Sequence, residues 1–98
     1  MEIIKNKNGT ELALALVGRL DTTTAPALEA AVKEDLGGIE TFSLDFSRLD
    51  YISSAGLRVL LSAQKIMNKQ GSMVIRNANQ DIQEVFEITG FSDILTVE

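Results

Sequence analysis

Ser53 and Ser54 are the residues of this chain best placed to do chemistry. They end the run Leu44-Asp45-Phe46-Ser47-Arg48-Leu49-Asp50-Tyr51-Ile52-Ser53-Ser54 and precede Ala55-Gly56-Leu57. The stretch reads as a buried strand, a short acidic loop and a helix that opens on the serine pair. A serine at a helix start has two uses. Its hydroxyl can cap the helix by accepting a backbone N–H. It can also carry a phosphate, because free N–H groups and the helix dipole favour negative charge there. The first use is structural and the second is a switch.

Other chemistry is narrowed by what is missing. There is no histidine and no cysteine. Disulfides and thiolate metal sites are excluded, and a Ser/His/Asp triad cannot be built. Asp21, Asp45 and Asp50 show no close spacing that would make a cation cage. With no nucleophile–base pair and no phosphate-binding glycine loop, an enzyme is not expected, and no cofactor is called for. The net charge is −5, and the basic residues are scattered. Direct nucleic-acid binding needs a positive footprint, so none is expected. The apolar runs are far shorter than the ~20 residues of a spanning helix. Met1-Glu2-Ile3-Ile4-Lys5 lacks the layout of a signal peptide. No direct membrane insertion and a cytoplasmic location are the expectations.

The elements that must position the serines follow from periodicity and turn chemistry. Glu2 to Lys7 is predicted as a strand and Asn8-Gly9 as a hairpin turn. Glu11 to Val17 alternates Leu12, Leu14 and Leu16 with Ala13, Ala15 and Val17, a strand that Gly18 closes. After the loop Arg19 to Thr24, Pro26 suits the first turn of a helix. That helix runs to about Leu36 and buries Leu28, Ala31, Val32 and Leu36. Thr41 to Phe46 is the third strand. The second helix runs from near Ser54 to near Gln70-Gly71, with an apolar stripe of Leu57, Leu60, Leu61 and Gln64 or Met67. Met73 to Arg76 is a short strand. Asn79 or Asp81 caps a third helix carrying Ile82, Val85 and Phe86 inward, with Gly90 as a left-handed C-terminal cap. Ile94 to Val97 is a last strand. The order β-β-α-β-α-β-α-(β) predicts one α/β domain over residues 1–98. Its mixed sheet has four or five strands, with helices packed mainly on one face. Leu14, Leu16, Leu44, Phe46, Leu57, Leu61 and Phe86 should form the core.

Individual residues keep two readings at this point. Asp21 suits an Asx-turn or an exposed partner contact. Asp50 is a solvated loop carboxylate. Gly56, costly inside a helix, marks a close approach, either of the sheet or of a partner.

Three stretches resemble the STAS domain of bacterial anti-sigma factor antagonists. Gly18-Arg19-Leu20-Asp21 with Thr24-Ala25 is similar to the family's Gly-x-Leu-Asp turn after the second strand. Leu44-Asp45-Phe46-Ser47 with Leu49 is similar to its third strand and exit. Ser53-Ser54-Ala55-Gly56-Leu57 is similar to its Asp-Ser-Ala/Ser-Gly-Leu signature. Anchored on Gly56-Leu57, Ser54 falls on the phosphorylated serine, and Ser53 replaces the aspartate before it. A register slipped by one makes Ser53 the acceptor instead. The resemblance implies a phosphorylation-switched module that binds a serine-kinase anti-sigma factor, frees a sigma factor and is reset by a cognate phosphatase. It implies partner contacts at Asp21, Thr22, Ser53, Ser54, Gly56 and Arg58; the sequence does not fix the oligomeric state, and a monomer is the favoured expectation. The same resemblance also admits another role, as a STAS subunit clamped to the ATPase of a lipid-transporting ABC system, with no phosphoserine.

Overall fold

A computed structural model describes all 98 residues. Strands β1 (Glu2–Asn8) and β2 (Glu11–Leu20) form an antiparallel hairpin. Helix α1 (Ala25–Asp35), strand β3 (Thr41–Ile52), helix α2 (Ser54–Met67), strand β4 (Ser72–Arg76) and helix α3 (Gln80–Thr89) follow, and a short 3-10 turn spans Phe91–Asp93. The sheet order is β1-β2-β3-β4, with β2, β3 and β4 parallel. The hairpin turn is Gly9-Thr10, closed by the Asn8–Glu11 pair, one residue later than Asn8-Gly9. Gly9 takes a φ of +63°, which a glycine adopts freely.

Alternation on the strands decides which sheet face is covered. Leu12, Leu14, Leu16, Phe42, Leu44, Phe46, Met73 and Ile75 are buried under the helices. Ala13, Ala15, Val17, Ser43, Asp45 and Val74 are only half-buried on the opposite face, which no helix covers. Leu57, Leu60, Ala63 and Met67 of α2 and Ile82 and Phe86 of α3 complete a single core with Leu28 and Val32 of α1. Leu61 departs from expectation: it is half-buried, while its neighbours Val59 and Leu60 are buried. The inward stripe of α2 is therefore rotated toward Val59.

Two other expectations are corrected. The stretch Ser47 to Tyr51, expected as a loop, is strand, so β3 runs to Ile52. It escapes alternation because β3 slips twice against β2, between the pairs of Ala15 and Val17 and between those of Gly18 and Arg19. Each bulge adds one residue, so the buried residues Phe46, Leu49 and Ile52 fall three apart. The last strand is reduced to a single parallel bridge, Val97 to Ile75, leaving a four-stranded sheet.

Candidate functional site

The bulged end of β3 delivers the chain to α2 at the carboxyl end of β2. The Ser53 N–H donates to the Leu20 carbonyl oxygen at 2.9 Å. Ser53 is the N-cap of the 14-residue helix α2, in extended conformation, but its hydroxyl makes no cap bond. The Ser53 Oγ is buried without any partner. Ser54 is the first helical residue and is exposed. Its hydroxyl therefore sits where the helix N–H groups and dipole favour an anion.

The close approach at Gly56 is to the sheet. The residue is buried, and a Cβ there would lie 2.7 Å from Leu20 Cγ and 3.0 Å from Ile52 Cγ1. The missing side chain lets α2 seat on the ends of β2 and β3. Gly56 thus places Ser54 from below, through packing on the sheet.

The turn beside α2 is held by Asp21. Its Oδ1 accepts from the Thr23 hydroxyl at 2.7 Å, the Thr23 N–H at 3.0 Å and the Thr24 N–H at 3.1 Å. The Thr24 hydroxyl accepts from the Asp21 N–H and donates to the Arg19 carbonyl, both at 2.8 Å. The Thr23 hydroxyl, followed by the backbone N–H groups, holds the Asp21 carboxyl below its ordinary value of 3.8. Asp21 is thus spent on the Asx-turn that starts α1. Thr22 at the tip is exposed.

Thr22 and Arg58 meet across a cleft of about 300 Å³ between α1 and α2, lined also by Pro26, Glu29, Ala55 and Ser62. Arg58 is exposed and belongs to none of the four ion pairs. It lies one helical turn beyond Ser54, on the same side. Asp50 is exposed on β3, and Asp45 sits on the open sheet face bonded to Asn77 and Ser47. No three carboxylates converge as a metal site.

One neighbour was not legible in the sequence. The Arg19 guanidinium stacks over the Tyr51 ring, 4.3 Å from its centroid. Both residues sit just before the two site loops, paired across β2 and β3. Ending β3 at Phe46 hides that pairing.

A family model described as "Mlab, STAS domain" matches residues 4–96. A Bordetella bronchiseptica protein, BtrV, named as a candidate anti-sigma factor antagonist, is 39% identical over 99% of this chain and 85% of its own length. The anti-sigma-B factor antagonist of Listeria monocytogenes is 29% identical over 97% of this chain and 85% of its own. Among solved structures, an anti-sigma factor antagonist from Mycobacterium paratuberculosis superposes with a TM-score of 0.88 at 18% identity, covering 98% of this chain and 83% of that one. The unphosphorylated form of the anti-sigma factor antagonist SpoIIAA superposes at 0.78 and 17% identity, covering 99% of this chain and 87% of that one. Those two structural likenesses speak for the fold.

Proposed function

The chain belongs to the STAS-domain family, and from that premise we propose that it is an anti-sigma factor antagonist switched at Ser54. It binds an anti-sigma factor and so frees a sigma factor. The relative that is 39% identical over nearly the whole chain carries this reading. The names of the curated relatives point to the antagonist role and away from the transporter clamp.

In this proposal the partner docks on the α2 start, the Asp21–Thr24 turn and the cleft between Thr22 and Arg58. The partner is a kinase that transfers the γ-phosphoryl of ATP to the Ser54 hydroxyl. An exposed hydroxyl on the first helical residue supports that role. The phosphate adds about −1.5 to −2 charges at the centre of the docking surface. The helix tolerates the charge, and an acidic partner surface does not. The complex separates without unfolding this domain, and a phosphatase resets it.

The test incubates the chain with a kinase-type anti-sigma factor from the same genome and ATP, then locates phosphate by fragment mass spectrometry. Phosphate on Ser54 is the expected result. Ser54→Ala should bind the partner and resist release, and Ser54→Asp should bind more weakly. Phosphate on Ser53 moves the register by one. No phosphate on either serine, with a transporter ATPase co-purifying, replaces this function with the clamp.

A further inference from the structure

A second surface lies away from the serine site. Helix α3 turns Ile82 and Phe86 into the core, yet its last turn leaves Ile88 85% exposed, and Ile94 follows at 49%. Ile88 adds almost nothing to the packing of the fold, and Ile94 leaves about half of its surface open. A cleft of about 200 Å³ opens between the other flank of α3 and the segment after it, lined by Gln83, Phe86, Glu87, Ser92 and Val97, roughly 100° or more around the helix from Ile88. Its floor is apolar, and its rim is polar and acidic.

Charge is segregated onto the same surface. Residues 77–98 contain Asp81, Glu84, Glu87, Asp93 and Glu98 and no lysine or arginine, while residues 1–76 hold nine acids and nine bases. The whole net charge of −5 therefore belongs to the α3 segment. Only Glu98 has a basic partner, Arg76 at 3.9 Å. The other four acids are exposed and belong to no ion pair.

Topology separates this surface from Ser54. Strand β4 lies parallel to β3, so both end on the serine side. Val97 returns parallel to Ile75, so α3 must run back toward the opposite end of the sheet before that bridge. Ile88, in its last turn, lies at that opposite end.

We propose that the outer face of α3, where Glu84, Glu87 and Ile88 stand exposed, docks a basic amphipathic protein segment. An apolar side chain of that segment packs on Ile88, and lysines or arginines beside it meet Glu84 and Glu87. Charge complementarity selects this occupant. A nucleic acid or an anionic membrane is repelled by the same acids.

The test titrates the isotope-labelled full chain with a peptide of about 18 lysines and leucines, the leucines at helical i, i+3, i+4 and i+7 spacing. Amide shifts should concentrate between Gln83 and Val97. Ile88→Ser, a surface change that leaves the fold intact, should weaken binding about tenfold. Paired Glu84→Lys and Glu87→Lys should weaken it and flatten its salt dependence. Glu34→Lys, a similar change on α1, should leave affinity within about twofold. The proposal is overturned if a glutamate–leucine peptide of the same pattern binds as well, or if the shifts centre on the α1–α2 cleft or the open sheet face. It is also overturned if sedimentation shows a concentration-dependent dimer that Ile88→Ser abolishes, for then the occupant is a second copy.

Discussion

Ser53 holds the N-cap of α2 but gives the helix no side-chain bond, and its Oγ is buried with no partner. An N-cap serine normally contributes about 1 kcal/mol. Here the hydroxyl has lost water and gained nothing, so Ser53→Ala should leave stability unchanged or raise it slightly. Urea unfolding checks this, and a loss of about 1 kcal/mol would show a cap bond formed in solution. Carboxylates behave differently. The Asn77 side chain, then the Ser47 N–H, holds the Asp45 carboxyl below its ordinary value of 3.8. A lowered folded value means the stabilisation is present above the unfolded value and lost as pH falls through the folded one. Asp45→Asn should therefore destabilise at neutral pH, with the gap to the parent closing below pH 3.8. Denaturation across pH 2.5 to 7, roughly the span over which carboxylates titrate, measures the closing gap. The serines were legible in the sequence because a helix start and a short motif coincide there. The orphaned hydroxyl was not, since it depends on where Leu20 pins the backbone.

At the scale of elements, the site is a product of two bulges and one glycine. Alternation predicts a strand that ends at Phe46, and the helix that follows is placed correctly at Ser54. The strand residues Ser47 to Ile52 were hidden because two bulges turn a period of two into a spacing of three. No local residue pattern announces a bulge whose cause is pairing with a distant strand. Gly56 could be flagged from sequence, but its partner could not. Gly56→Ala would set a Cβ against Leu20, which is fully buried and cannot swing away. Better helix propensity is worth about 1 kcal/mol, against about 1–3 for overpacking. The expected outcome is a net loss of stability, with α2 amides near Ser54 exchanging faster. The α3 cap was legible as a choice between two residues, and the structure selects Asn79. Its Oδ1 accepts the Ile82 N–H at 2.8 Å, and its Nδ2 donates to the Leu49 carbonyl at 3.2 Å. Asn79→Ala loses both the cap and the tie to β3, so about 1–2 kcal/mol should disappear in equilibrium unfolding. Asp81 is exposed in the first turn, and Asp81→Ala should cost less than half of that.

Across the whole molecule, two electrostatic effects would oppose each other under the proposed phosphorylation of Ser54. The chain already carries −5, and added negative charge increases self-repulsion. Locally, the start of a 14-residue helix attracts the phosphate, worth about 0.3–1 kcal/mol at an exposed position. Distance decides between them. The −5 belongs to residues 77–98, whereas residues 1–76, which include Ser54, are balanced. Over separations beyond a Debye length of about 8 Å at physiological salt, the acids of α3 are largely screened. Arg58, one turn along α2 and outside every ion pair, is the nearest cation on the helix. The local attraction therefore wins. Phosphorylated protein should melt no lower than the unmodified chain and up to about 5 °C higher. The gain should shrink in Arg58→Ala and in high salt. Scanning calorimetry of both forms at two ionic strengths makes the comparison. A phosphorylated form that melts several degrees lower would mean that the modification acts by loosening the domain, and release of a partner would then follow from unfolding of the α2 start.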